Sequence, residues 1–216
     1  MSVRSFEIGR GVTVGGSAPL LMAGPCVIES EALCVEIGRE LKQQCDRLGI
    51  QYVFKASYDK ANRTSLSSFR GPGLDAGCKI LESVAQDLDV PIVTDVHAVD
   101  QVESVAKIAD IIQIPAFLCR QTDLINAVAS SGTPVNIKKG QFLSPEEMGS
   151  VVEKARSAGA EQLMVCERGS SFGYNNLVVD MRSLQVMSEF NCPVVFDATH
   201  SVQLPGQGGD RSGGQR

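Results

Sequence analysis

Short runs of β-branched and other apolar residues alternate with longer stretches in which apolar positions recur at helical spacing. The apolar runs are Leu20–Ile28, Tyr52–Phe54, Pro91–Val96, Ile111–Phe117, Val135–Lys139, Gln162–Glu167 and Pro193–Ala198. Amphipathic segments fill the gaps, at roughly 31–48, 76–88, 99–108, 121–130, 144–158 and 179–190. Period-2 alternation is absent from the runs, as expected of strands buried on both faces of a parallel sheet. Boundary signals agree with this reading. Ser144-Pro-Glu-Glu sets an N-cap serine before proline and two acids, and Gly49, Gly132 and Gly159 follow expected helix ends.

Seven β/α steps of this kind predict a (β/α)8 TIM barrel, with an open doubly wound sheet as the alternative. Residues 5–14 predict a β-hairpin plugging the bottom of the barrel. The count leaves seven of the eight strands of a closed barrel. The expected domain is therefore a single one over 1–216, lacking the last β/α elements. The glycine-rich run that follows His200 reads as a loop, and an open parallel edge calls for a covering strand or another chain.

Composition narrows the function classes. The 216 residues are 43% hydrophobic and carry a formal net charge of −5, with no tryptophan and 3 tyrosines. That balance disfavours nucleic-acid binding, and any cluster of cations is then a local arrangement. Seven cysteines, odd in number and without a Cys-x-x-Cys pair, fit reduced, cytoplasmic usage. No leader-type segment is read at the amino terminus, and no apolar stretch approaches the ~18 residues that span a bilayer.

The chemistry gathers where the runs end. The second run leads directly into Lys55-Ala-Ser-Tyr-Asp-Lys-Ala-Asn-Arg-Thr-Ser65, which holds three cations, an amide and four hydroxyls. Such a set is either a solvated basic loop or one wall of a phosphate or carboxylate pocket. The other runs end in Cys26, in Asp95 and His97, in Gln113, in Lys138-Lys139-Gly-Gln141, in Glu167-Arg168, and in Asp197 with His200. In a barrel these ends converge on one face. Lys55, Lys138 and Arg168 would give that face three cations, and Lys60 and Arg63 two more, suiting a substrate pair rich in phosphate and carboxylate. Lys55 or Lys138 as a Schiff-base nucleophile is a competing reading. Cys26 and His200 are candidate metal ligands, with Glu29, Asp95 and Asp197 in range. The alternative for the pair is a buried thiol and a hydrogen-bonded imidazole.

These elements resemble the 3-deoxy-D-manno-octulosonate 8-phosphate (KDO8P) synthase family. The matching motifs are Lys60-Ala-Asn-Arg-Thr-Ser65, Ala23-Gly-Pro-Cys26, Thr94-Asp-Val-His97, Gln113-Ile-Pro-Ala-Phe117, Asn136-Ile-Lys-Lys-Gly-Gln-Phe142, Glu167-Arg-Gly169 and Phe196-Asp-Ala-Thr-His200. The resemblance implies a TIM barrel that condenses phosphoenolpyruvate with arabinose 5-phosphate in lipopolysaccharide biosynthesis. It implies Lys55, Ser57, Gln113, Lys138 and Arg168 around phosphoenolpyruvate. Lys60, Asn62, Arg63 and Thr64 would hold the sugar phosphate, with Asp95 near its hydroxyls. Lys138, Asn62, Asp95 and His200 are the expected catalytic residues. A homotetramer is implied, in which a neighbouring subunit supplies the residues matching Arg120 and Phe117. Cysteine at position 26 points to the metal-dependent branch, with Cys26 and His200 as ligands of a divalent ion whose remaining family ligands lie beyond the seventh strand. Thr64 replaces the family's serine and keeps the hydroxyl. A related synthase acting on erythrose 4-phosphate (DAHP synthase) and a non-catalytic chain that only binds ligand or partner are the rival functions.

Overall fold

The computed structural model describes residues 4–63, 65, 67–205, 213 and 214. Its centre is a seven-stranded, all-parallel sheet: β1 (Leu20–Ala23), β2 (Gln51–Lys55), β3 (Ile92–Asp95), β4 (Ile111–Ile114), β5 (Val135–Lys138), β6 (Leu163–Glu167) and β7 (Val194–Phe196). Each strand pairs with the next in chain order, the succession of a (β/α) barrel and not the reversing order of a doubly wound sheet. Among the described residues no eighth strand joins β1 to β7.

The helices of the outer layer are α1 (Glu31–Leu48), α2 (Leu74–Leu88), α3 (Val102–Ala106), α4 (Thr122–Ser130), α5 (Met148–Ser157) and α6 (Arg182–Ser188), and a single turn, α7 (Ala198–Ser201), follows β7. Ser30 Oγ caps α1 by accepting from Leu33 N at 3.2 Å. Gly49, Gly132 and Gly159 all have positive φ at the expected helix ends. The expected start of α5 at Ser144 is shifted. Ser144 and Glu147 exchange capping hydrogen bonds of 2.8 and 3.4 Å. The first turn is nonetheless closed by tight bonds, Pro145 O accepting from Met148 N and Glu146 O from Gly149 N, so regular α-helix begins a turn later. β1 and β4 are shorter than the apolar runs because Pro25 and Pro115 cannot donate to a ladder.

Two apolar layers flank the sheet. Between sheet and helices lie Phe54, Ile92, Ile112, Ile114, Ile137 and Val165, all fully buried. On the inner face Val53, Val93, Ile111 and Met164 pack against Ile8, Val12 and Val14 of an antiparallel hairpin, Phe6–Glu7 with Thr13–Val14. The hairpin is the expected plug. Gln51 Oε1 accepts from Thr13 N at 2.6 Å, and Arg10 donates to Asp89 at 3.1 Å and to Val90 O at 2.7 Å.

Moving two positions along each strand keeps the inner face and changes its chemistry. Val53 gives way to Lys55, Val93 to Asp95, Ile111 to Gln113. The floor of the interior is therefore apolar and the mouth polar and charged. No helix among the described residues is long and apolar enough to cross a membrane.

Candidate active site

The carboxyl ends of the strands surround a cavity of about 380 Å³. Cys26, Lys55, Lys60, Asn62, Arg63, Asp95, Gln113, Phe117, Lys138, Arg168 and His200 all line it. Ser57 is fully buried just beneath. Arg120 is exposed and does not line the cavity, and Thr64 lies outside the described residues. Among the described residues, five cations and one carboxylate, Asp95, line it, although the chain as a whole is acidic.

Local sequence explains how these groups are held. Gly24 lets the end of β1 pass close to β2, since a Cβ there would sit 2.2 Å from the Lys55 carbonyl oxygen. Pro25 and Cys26 are thereby brought over the cavity. The loop carrying Lys60, Asn62 and Arg63 is pinned at both ends. Lys60 N donates to Arg70 O at 2.7 Å and Gly73 N to Tyr58 O at 3.1 Å. Arg70 forks onto Asp59 at 2.8 and 2.5 Å. Tyr58 is itself buried and donates to Gln101 at 2.6 Å.

Ser57 is a hub. Its hydroxyl bonds the Asp95 carboxylate and receives Lys60 Nζ at 2.7 Å and Lys55 Nζ at 3.2 Å. Burial would raise the Asp95 pKa, but Lys55, Lys60 and His97, with the Ser57 hydroxyl, more than offset it and hold the carboxyl down at about 2. Burial and the neighbouring Lys60 in turn lower the pKa of Lys55.

On the opposite wall Asp197 caps α7, accepting from His200 N at 3.0 Å. The same carboxylate pairs with Lys138 and lies 2.6 Å from His200 Nδ1. Lys138 Nζ is 3.5 Å from that nitrogen. Burial opposes ionisation of Asp197, yet His200 and Lys138 keep its pKa far below the carboxylate range. A hydrogen bond with His200 draws the Cys26 thiol down to about 6; burial opposes it, and the charges of Lys60 and Lys55 reinforce it.

Arg168, buried at the cavity wall, donates to Gln203 at 3.4 Å. Its Nε and Nη1 have no hydrogen-bond partner among the described residues. Two buried, cationic donors left open beside a cavity suit an anion. Asn136, which strand reasoning passed over, donates to Gln113 at 3.1 Å and fixes that amide. It stands two positions before Lys138 on β5, and that spacing was the available signal. Gln141, already named among the strand ends, lines the cavity too, as does Gln203, which sequence reasoning passed over.

Cys26 and His200 line the same cavity, but among the described residues no group of three His, Cys, Asp or Glu side chains could hold a metal. Glu29 is exposed and absent from the cavity lining. Asp197 is taken up by Lys138 and His200.

The DAHP synthetase I family model matches residues 4–213. Among similar proteins, a 2-dehydro-3-deoxyphosphooctonate aldolase of Acidithiobacillus ferrooxidans is 64% identical over 196 residues, covering 91% of this chain and 70% of the relative. Proteins of the same name from Xylella fastidiosa and Desulfotalea psychrophila are 61% and 58% identical, covering 95% and 96% of this chain and 75% of each relative. The barrel order, the cation-lined mouth and these matches agree, and the chain belongs to the DAHP synthetase I family, beside relatives named 2-dehydro-3-deoxyphosphooctonate aldolase.

Proposed function

We propose that the chain carries the synthase activity of these relatives: phosphoenolpyruvate, arabinose 5-phosphate and water give 3-deoxy-D-manno-octulosonate 8-phosphate and phosphate. The observation that carries this reading is the buried, open guanidinium edge of Arg168 in a cavity shared with Lys55, Lys60, Arg63 and Lys138. Two polyanions brought together repel one another, and fixed cations offset that repulsion before reaction begins. Lys55, Ser57, Gln113, Lys138 and Arg168 are assigned to phosphoenolpyruvate. Lys60, Asn62, Arg63 and Thr64 are assigned to the sugar phosphate.

In the reaction the enol carbon of phosphoenolpyruvate bonds to the aldehyde carbon, whose oxygen takes up a proton. Positive character is left at C2. Water adds there, and the C2–phosphate oxygen bond breaks as phosphate departs. No covalent enzyme intermediate is required. Lys138, tethered by Asp197, is placed to stabilise charge at the phosphoenolpyruvate carboxylate. Asp95 is held ionised and is suited to accept hydrogen bonds from sugar hydroxyls. Asn62 is assigned to orient the aldehyde, and His200 to hold or move a proton on the facing wall.

Cys26 and His200 suit a soft or borderline first-row divalent ion, which when bound would orient the aldehyde. They make up two ligands of such a site. Titration with Co2+ tests the pair: thiolate charge-transfer absorption is expected, and its persistence in Cys26→Ala would overturn the assignment. The exposed Phe117 and Arg120 support a homotetramer in which neighbours offer these side chains. A single monomeric mass in solution would refute it. Seven unpaired cysteines support a reducing, cytoplasmic setting.

The deciding experiment offers phosphoenolpyruvate with arabinose 5-phosphate or erythrose 4-phosphate. Turnover of the five-carbon sugar is expected. Preference for erythrose 4-phosphate would favour the DAHP reaction, and binding of phosphoenolpyruvate without turnover of either sugar would leave a non-catalytic binding chain. Borohydride is expected to trap no adduct at Lys55 or Lys138.

A further inference from the structure

Adjacent strands β5 and β6 run out in charged dipeptides, Lys138-Lys139 and Glu167-Arg168. One member of each, Lys138 and Arg168, lines the cavity. The other two are absent from its lining and meet each other instead. Lys139 Nζ and Glu167 Oε1 are 3.6 Å apart, and each side chain is only 1% exposed. Lys139 Nζ also donates to Leu143 O at 3.2 Å, Ser170 Oγ at 3.1 Å and Gly169 O at 3.5 Å. Glu167 Oε1 accepts from Arg168 N at 2.9 Å and Gly169 N at 2.6 Å.

Burying two charges in this way is a poor route to stability, because an apolar pair of similar volume commonly holds a fold as well or better. What the pair does supply is direction. The Glu167 carboxylate grips the backbone from which Arg168 projects, and at Gly169 the chain turns at φ +93°. Lys139 joins this turn to the loop that follows β5. That loop carries Gln141, another lining residue, whose carbonyl accepts from Ser171 N at 2.8 Å.

We infer that Lys139 and Glu167 are positioning residues: their buried ion pair fixes the turn that aims the Arg168 guanidinium into the cavity. The inference rests on the anion-binding role given to Arg168 above. It is more specific than that role, since it says the anion affinity of Arg168 depends on a pair that never touches the ligand.

The test is a double-mutant cycle on the full chain, read by calorimetric binding of phosphoenolpyruvate well below the melting temperature. Lys139→Met is expected to weaken binding about tenfold, since small misplacements of a binding group cost affinity on this scale. In an Arg168→Ala background the same substitution is expected to change binding less than about twofold, because the group it acts through is gone. Unchanged affinity in Lys139→Met, or an equal loss in both backgrounds, would overturn the inference. If Lys139→Met does not fold, Glu167→Gln replaces it, because that variant keeps the Oε1 acceptor for Arg168 N and Gly169 N while removing the negative charge.

If the parent chain binds no phosphoenolpyruvate, the functional reading fails and the inference is decided without ligand. Phenylglyoxal modification of Arg168, mapped by mass spectrometry, is expected to be several-fold faster in the variant. An unchanged rate would refute the positioning role on its own.

Discussion

Lys138 and His200 share one carboxylate. Asp197 pairs with the Lys138 ammonium on one side and His200 Nδ1 on the other, at 2.6 Å. A residue from β5 and one from α7 are thus locked to each other on one wall of the cavity.

Replacing Lys138 by methionine removes the ammonium paired with the Asp197 carboxylate. Melting stability is expected to fall by about 3 kcal/mol, the scale for breaking a buried pair, and most turnover to vanish. Adding Asp197→Asn is expected to restore much of the melting temperature and none of the turnover. Recovery of turnover in the double variant would show that Lys138 has no part in the chemistry.

Arg63 stands exposed in the pinned loop and lines the cavity, and among the described residues no carboxylate lies at ion-pair distance from it. Arg63→Ala is expected to remove most turnover while leaving the melting temperature within about 1 °C, as for an exposed side chain. Near-normal kinetics with arabinose 5-phosphate would remove Arg63 from the sugar-phosphate wall.

Asp95 supplies a pH signature. Its folded-state pKa of about 2 lies below the ordinary carboxylate value, so its contribution is fully present above about pH 4 and is lost as pH falls toward 2. The size is about 2 kcal/mol. Denaturant midpoints measured from pH 5 down to pH 2 are expected to fall less steeply in Asp95→Asn. Parallel curves for the two proteins would show that Asp95 is not held ionised by its neighbours.

Cys26 is exposed, with its thiol drawn down to about 6. Cys34 and Cys192 are buried, with thiols pushed up to about 11, and Cys166 to about 12. Iodoacetamide at neutral pH is expected to label Cys26 first, with the rate rising through a midpoint near pH 6. Phenylalanine at position 200 should move that midpoint upward, and a midpoint near 8.5 in the parent would refute the contact with His200.

Gly24→Ala drives a methyl to 2.2 Å from the Lys55 carbonyl oxygen. Backbone on both sides resists, so a loss of about 1–3 kcal/mol is expected. Gly49→Ala meets no atom within 4 Å and is expected to cost only the strain of its positive φ, about 1 kcal/mol. Chemical denaturation of the two variants orders them, and equal losses would mean that β1 and β2 are free to separate at that point.

Much of this was legible beforehand, for physical reasons that differ between parts. Strand order followed from seven buried runs separated by helical segments, because parallel neighbours require crossovers. Convergence of Lys55, Asp95, Lys138 and His200 followed from that order alone. The inner face was less visible. Val53 and Lys55, or Ile111 and Gln113, look unrelated in a run buried on both sides, and their shared direction emerges only when the hairpin covers one of each pair. The pairing of Lys139 with Glu167 was hidden because the sequence sets both at strand ends without showing which other strand end each one meets. Helix starts were missed where proline and capping bonds produced a tight first turn, as at Ser144.

The two-tier interior has a consequence for variation. Apolar contacts with the hairpin and the polar lining of the cavity are borne by different residues of the same strand, two positions apart. A point change at the mouth leaves the lower contacts in place, so substrate preference can drift among relatives while the strands keep their registration. Selection for new chemistry and selection for persistence of the fold then act on separate sets of codons.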